Sequence, residues 1–71
     1  MTKAKVLLID DDPVILGAIT EFLRHEGYSV VQAADLKSAY ATLESAAPDI
    51  AVVDFDLPDG NALDFLAGLM Q

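Results

Sequence analysis

The most informative segment of this chain is Ile50–Gly60, IAVVDFDLPDG. It begins with four apolar residues, becomes acidic at Asp54 and Asp56, and closes with the turn residues Asp59 and Gly60. A short apolar run bounded by turn residues is typical of a strand buried on both faces of a parallel sheet. Carboxylates at the carboxyl end of such a strand lie where open α/β sheets form their binding crevice. The stretch therefore predicts a buried strand with an acidic edge, followed by a turn.

The start of the chain repeats this pattern. Lys5–Ile9 is predicted to be the first strand, and it leads directly into Asp10, Asp11 and Asp12. Asp12 followed by Pro13 predicts the start of a helix, because aspartate caps free N–H groups and proline has no N–H to leave unpaired. The chain thus has two apolar strands that each end in aspartate.

Strands and helices are expected to alternate along the whole chain. The predicted strands cover 5–9, 28–32 and 50–53, and the predicted helices cover 13–25, 36–45 and 62–70. Asp35 and Asn61 are predicted to cap the second and third helices, and Gly27 to end the first. Short right-handed crossovers then favour an α/β fold with a parallel sheet in the order 2-1-3. In that order, Asp10, Asp11 and Asp54 converge at one edge of the sheet.

The first two helices are expected to bury apolar stripes that recur at three- and four-residue spacing. The stripe of the first helix comprises Val14, Ile15, Ala18, Ile19, Phe22 and Leu23. The stripe of the second helix comprises Leu36, Ala39, Tyr40 and Leu43. The apolar residues of the third helix are Leu63, Phe65, Leu66 and Leu69.

Length and charge limit the classes of function. Seventy-one residues allow one small domain, and the net charge of −8 argues against direct binding of nucleic acid or an anionic membrane. The chain has no cysteine, so neither a disulfide framework nor a thiolate metal site is expected. No apolar run approaches the roughly 20 residues of a membrane span. We expect a cytoplasmic module.

Converging carboxylates repel each other and need protons or a hard divalent cation. Mg²⁺ prefers oxygen ligands and commonly uses one or two carboxylates together with a phosphate. Asp11, Asp54 and a main-chain carbonyl near Asp56 fit that description. A carboxylate is also a competent nucleophile toward phosphorus. Asp54, which stands alone at a strand end, is the best candidate for that role.

The sequence resembles the first part of a bacterial response-regulator receiver domain, over essentially all of the chain. VLLIDDDPVIL, from Val6, resembles the first strand and acidic pair of that family, and PDIAVVDFDLPDGNALDFL, from Pro48, resembles its phosphorylation strand and following loop. The resemblance implies a three-layer flavodoxin-like (CheY-like) fold that binds Mg²⁺ and is phosphorylated by a histidine kinase or phosphotransfer protein. It also implies an output domain in the parent protein.

The resemblance also assigns roles to individual residues. It makes Asp54 the phospho-acceptor, Asp11 a direct Mg²⁺ ligand, Asp10 a ligand through water, and the Asp56 main-chain carbonyl a further ligand. Members of the family continue with two more strands, which end in a Ser/Thr and a Lys at the site, and with two more helices. Residues 1–71 are therefore expected to form the N-terminal portion of a receiver domain, impaired in switching.

Two other functions compete with this interpretation. Asp54-Phe55-Asp56 resembles the DxD motif of haloacid-dehalogenase-type phosphatases, although Pro58 departs from that pattern and Asp10 and Asp11 would have no role. Alternatively, the chain is an inert structural fragment that self-associates. Whether the chain is part of a receiver domain or an inert fragment, the third strand is expected to leave an apolar edge exposed, and such edges invite pairing with a second copy.

Overall fold

A three-stranded parallel sheet lies between one helix and two helices in the computed structural model, which describes residues 3–70. The elements are β1 (Lys5–Ile9), α1 (Pro13–His25), β2 (Ser29–Ala33), α2 (Leu36–Ala46), β3 (Ile50–Val53), β4 (Asp56–Leu57), β5 (Gly60–Asn61) and α3 (Ala62–Leu69). The three-layer α/β fold that the sequence predicts is confirmed.

The first strand occupies the centre of the sheet. The strand order is β2-β1-β3, and β1 pairs in parallel with both neighbours, with Ile9 opposite Ala33 on one side and Val53 on the other. Helices cover the two faces of β1, which explains its unbroken apolar run. Leu7, Leu8 and Ile9 are 0%, 2% and 0% exposed. Since β1 and β3 are neighbours, the aspartates that follow them share one edge of the sheet.

Side chains alternate between two apolar clusters on opposite faces of the sheet. Leu8 packs with Leu16 and Val30 on the α1 side. The larger cluster lies on the side of α2 and α3, and it comprises Leu7, Ile9, Ala33, Leu36, Ala39, Leu57 and Phe65. Tyr40 and Leu43 pack against the larger cluster, so the stripe predicted for α2 is confirmed.

The stripe predicted for α1 is wrong. Leu16 and Thr20 are the buried residues of this helix, whereas Val14 is 77% and Phe22 62% exposed. Ile15, Ala18 and Ile19 are exposed as well, and only Leu23 packs against the smaller cluster. The reason is that α1 has a wider apolar surface than the three-stranded sheet covers. Periodicity identifies this surface but does not say which flank of it meets the sheet.

Thr20 is a polar residue on the buried face of α1. Its hydroxyl accepts a hydrogen bond of 2.7 Å from the side-chain amide of Gln32 on β2. Burial of a hydroxyl costs little when it is hydrogen-bonded. This pair therefore connects α1 to β2 in the place of an apolar contact.

All three predicted helix caps are confirmed. Asp12 accepts the N–H of Val14 at 2.9 Å, Asp35 accepts that of Ser38 at 2.7 Å, and Asn61 accepts that of Asp64 at 2.9 Å. Three N–H groups that have no partner inside their helices are satisfied in this way. Gly27 follows the last turn of α1 with a φ of 97°, a conformation that favours glycine.

The element bounds differ from the predictions by a residue, and the two short strands β4 and β5 were missed. The prediction that Ile50–Val53 is a buried strand is wrong, because β3 lies at the edge of the sheet and its first three residues are exposed. β2 begins and ends one residue later than predicted, α2 extends to Ala46, and α3 ends at Leu69. The turn after β3 is a short antiparallel hairpin in which Asp56 pairs with Asn61 and Leu57 with Gly60. We call residues 56–61 the hairpin. Among residues 3–70, none of the helices is long and apolar enough to cross a membrane.

Candidate functional site

Three carboxylates meet at the carboxyl edge of β1 and β3. Asp10, Asp11 and Asp54 each offer an oxygen, and these oxygens all lie within 4.8 Å of one another. Asp10 and Asp54 are half-buried, and Asp11 is exposed. We call these three residues the acidic cluster. The convergence that the strand order predicts is therefore present in the structure.

The sheet itself holds the two half-buried members of the acidic cluster. The backbone N–H of Asp54 donates to the Ile9 carbonyl at 2.8 Å, and that of Asp10 donates to the Ala33 carbonyl at 3.1 Å. Both bonds continue the ladders of the parallel strands for one residue past their ends. The backbones of Asp10 and Asp54 are thus held by hydrogen bonds to the neighbouring strands of the sheet.

The start of α1 orients one side chain of the cluster. Asp10 accepts the backbone N–H of Asp12 at 3.0 Å, while Asp12 itself caps α1. Among the described residues, Asp12 and Asp56 do not belong to the acidic cluster. The assignment of Asp12 as a cap agrees with its contacts, and the carboxylate of the exposed Asp56 is not part of the acidic cluster.

Like charges at this separation are unfavourable. Two unit charges 4 Å apart repel by about 1 kcal/mol in water and by about 4 kcal/mol at the effective dielectric of a protein surface. Asp54 approaches both Asp10 and Asp11, from which it is far removed along the chain. Folding therefore creates repulsion that the unfolded chain lacks. The donor set consists of hard oxygens, so a small divalent cation such as Mg²⁺ fits it and would offset this repulsion.

The hairpin begins two residues after Asp54. The N–H of Ala62 donates to the Phe55 carbonyl at 3.0 Å and closes the base of the hairpin. Asp56, whose carbonyl is a predicted ligand, is the first hairpin residue. Sequence reasoning missed one contact here, because Asp59 was expected to serve only the turn but hydrogen-bonds to the start of α2. The residues around Asp59 in the sequence give no indication of this contact with α2.

A family model matches most of the chain. The model is described as the response regulator receiver domain, and it matches residues 6–71. Among curated proteins, the chain is 41% identical over 61 residues to the probable transcriptional regulatory protein TcrX of Mycobacterium tuberculosis. It is 38% identical over 69 residues to a protein-glutamate methylesterase/protein-glutamine glutaminase of Rhizobium etli. These matches cover 86% and 94% of this chain but only 26% and 20% of the two relatives.

Solved structures share the fold. The chemotaxis response regulator CheY4 of Vibrio cholerae superposes with a TM-score of 0.92 at 31% identity, over 99% of this chain and 58% of that chain. The non-phosphorylated HemR receiver domain of Leptospira biflexa gives a TM-score of 0.87 at 31% identity, over 96% and 55%. The chain thus spans little more than half the length of these structures.

Proposed function

The chain belongs to the response regulator receiver domain family, and we therefore propose that it accepts a phosphoryl group on Asp54 with Mg²⁺ bound at the acidic cluster. One observation carries the proposal. The carboxylates of Asp10, Asp11 and Asp54 come from two distant parts of the chain and meet within 4.8 Å. The proposed acceptor and the proposed ligands for the cation therefore lie together at one edge of the sheet, which supports the proposal.

The proposed ligands would bind Mg²⁺ in three different ways. Asp11 and Asp54 bind Mg²⁺ directly, Asp10 binds it through a water molecule, and the main-chain carbonyl of Asp56 supplies a further oxygen. When bound, Mg²⁺ would neutralise negative charge on the carboxylates and on the oxygens of the phosphoryl group. The half-buried Asp10 is held by its hydrogen bond to Asp12, which suits a ligand that must keep a fixed orientation.

Asp54 is the proposed nucleophile. One of its carboxylate oxygens attacks phosphorus, the bond between phosphorus and the donor atom breaks, and the donor atom keeps the electron pair. With a phosphohistidine donor, the bond that breaks is phosphorus to nitrogen, and the product is an aspartyl phosphate. The backbone hydrogen bond from Asp54 to Ile9 supports this role, because it fixes the attacking residue relative to the ligands on β1.

The proposed partners follow from the family. A histidine kinase or a phosphotransfer protein supplies the phosphoryl group, and an output domain in the parent protein receives the signal. We propose a cytoplasmic location and no direct contact of this segment with nucleic acid or membrane, in keeping with the net charge of −8. Relatives such as TcrX are named as transcriptional regulators, and any such activity of the parent would belong to the output domain.

We also propose that this segment self-associates through β3. Ile50 is 47% and Val52 45% exposed at the edge of the sheet, beside the exposed ring of Phe22. An edge strand with apolar side chains is prone to pair with another strand. An inert, self-associating fragment is the alternative function, and it would show association without phosphorylation.

No enzymatic turnover is part of the proposal. A phosphatase of the DxD type needs the carboxylates of both Asp54 and Asp56 at one centre, whereas Asp56 is exposed and its carboxylate lies outside the acidic cluster. Hydrolysis of a phosphate ester that Asp56→Asn abolishes would restore that alternative. The methylesterase relative of Rhizobium etli extends far beyond the matched segment, so its activity is not transferred here.

The proposal is tested by intact mass spectrometry after incubation with acetyl phosphate. We expect one added phosphoryl group in the presence of Mg²⁺ and none after chelation of the cation. Asp54→Asn should remain unmodified, whereas Glu44→Gln, a change of one exposed charge on α2, should be modified as the wild type is. Modification that persists in Asp54→Asn or without Mg²⁺ would contradict the proposal.

A further inference from the structure

The carboxylate of Asp59, at the tip of the hairpin, binds the start of α2. One of its oxygens accepts the N–H of Leu36 at 2.8 Å, and the other accepts the N–H of Lys37 at 3.1 Å. Asp35 accepts the N–H of Ser38 in the same turn. Two carboxylates therefore satisfy three N–H groups that α2 cannot satisfy internally, at the end of the helix that favours negative charge.

Apolar contacts hold the hairpin against the same helix end. Leu57 and Leu36 belong to one buried cluster and are 9% and 6% exposed. Gly60 has a φ of 153°, and a Cβ at this position would come within 2.5 Å of Leu36 Cδ1. The hairpin thus lies so close to α2 that one side of it has no room for a methyl group. Asp59 adds two directional bonds to this contact.

The hairpin also reaches the site and α3. Asp56, two residues after Asp54, is its first residue, and Asn61, which caps α3, is its last. The two hydrogen bonds of the Asp59 carboxylate therefore connect the hairpin to the first turn of α2, which is more than 20 residues away in sequence. A shift of the hairpin relative to α2 would move the Asp56 carbonyl.

We propose that Asp59 is a positioning residue for the Mg²⁺ and phosphoryl site, and this inference rests on the proposed function. By fixing the hairpin to the first turn of α2, Asp59 holds the Asp56 carbonyl where a Mg²⁺ ion bound to Asp54 can use it. Mg²⁺ demands near-ideal octahedral geometry with short bonds, so a small displacement of one ligand lowers the affinity. Asp59 itself touches neither the cation nor the phosphoryl group.

A control for mere stabilisation of α2 is available in the same turn. Asp35 caps the same helix end through Ser38, but its side chain makes no hydrogen bond to the hairpin in the described part of the chain. Loss of either carboxylate removes a cap, which costs about 0.5–2 kcal/mol of stability. Only loss of Asp59 also frees the hairpin. The two variants therefore separate helix stability from positioning of the site.

The test compares Asp59→Ala, Asp59→Asn and Asp35→Ala with the wild type. Mg²⁺ affinity is measured by calorimetry at a temperature where circular dichroism shows each chain to be folded. Loss of a residue that orients a metal ligand typically costs 10-fold or more in affinity, so we expect the dissociation constant to rise by about 10-fold in Asp59→Ala. Asp59→Asn, which keeps one acceptor oxygen, should show a smaller rise, and Asp35→Ala should show none.

Amide hydrogen exchange provides a second readout that needs no cation. Exchange at the Ala62 N–H, which closes the base of the hairpin, should accelerate in Asp59→Ala but not in Asp35→Ala. Equal changes in both variants, or no change in either, would overturn the inference. A wild-type chain that binds no Mg²⁺ would instead overturn the proposed function and the inference with it, so the two failures are distinguishable.

Discussion

Replacing Asp54 by asparagine should stabilise the chain in the absence of divalent cations. The substitution keeps the shape of the side chain and removes one of the three charges of the acidic cluster. Asp10 and Asp11 are neighbours in sequence and repel each other even in the unfolded chain. The two repulsions that involve Asp54 arise only on folding, so Asp54→Asn removes them from the folded state alone.

The distances set the magnitude of this effect. At separations of up to 4.8 Å, each pair repels by about 1 kcal/mol even in a medium as polar as water. Loss of two pairs should raise the free energy of unfolding by about 2 kcal/mol at low salt. For a domain of this size, that corresponds to a rise in Tm of about 8 °C or more. At 1 M salt the screening length falls to about 3 Å, and the difference should shrink.

Thermal unfolding followed by circular dichroism, with a chelator and at low salt, measures this difference. Glu44→Gln is the matched control, because it removes one negative charge from an exposed position outside the acidic cluster. Addition of Mg²⁺ should raise the Tm of the wild type and leave that of Asp54→Asn nearly unchanged. If the Tm of Asp54→Asn equals or falls below that of Glu44→Gln in the chelator, the carboxylates do not repel as the geometry requires.

Three further outcomes are expected. Hydrogen bonds from the Ser38 backbone N–H and, to a lesser extent, from the Ser38 hydroxyl lower the pKa of Asp35, so the stability that Asp35 contributes should be present above about pH 4 and lost as the pH falls through the lowered pKa. The difference in Tm between the wild type and Asp35→Asn should therefore shrink on acidification, and a constant difference would contradict this. Gly60→Ala should lower the free energy of unfolding by about 1–3 kcal/mol in urea titrations, through its positive φ and the contact with Leu36, and an unchanged midpoint would refute this. Sedimentation should show association that Val52→Lys weakens, whereas a monomeric wild type with a cooperative melt would contradict pairing through β3.

The strands and the acidic cluster could be predicted from sequence because the determining pattern is local. An unbroken apolar run that ends in aspartate specifies a strand and the side chain at its end, as in β1 and β3, although only β1, in the centre of the sheet, is buried, whereas β3 lies at the edge and is exposed. Parallel strands place their carboxyl ends at one edge, so the strand order alone brings Asp54 to Asp10 and Asp11. The caps Asp12, Asp35 and Asn61 were predictable for the same reason, since each acts on its own helix.

The features that sequence analysis missed depend on contacts between distant segments. The buried face of α1 is set by the width of the sheet, so that Thr20 is buried and Phe22 exposed. The bond between Asp59 and α2 depends on where the hairpin lies relative to that helix, and an aspartate in a turn looks the same whether it serves the turn alone or binds elsewhere. Such contacts follow from the assembled fold.

Locating the phosphoryl group on the chain tests the proposed role of Asp54 as the acceptor. After reaction with acetyl phosphate and Mg²⁺, the acyl phosphate is reduced with borohydride, which converts the modified aspartate to a stable alcohol, and the peptides are mapped by mass spectrometry. We expect modification at Asp54 alone, with Asp10 and Asp11 unmodified. Modification of Asp10, Asp11 or Asp56 in place of Asp54, or none at all, would contradict that role.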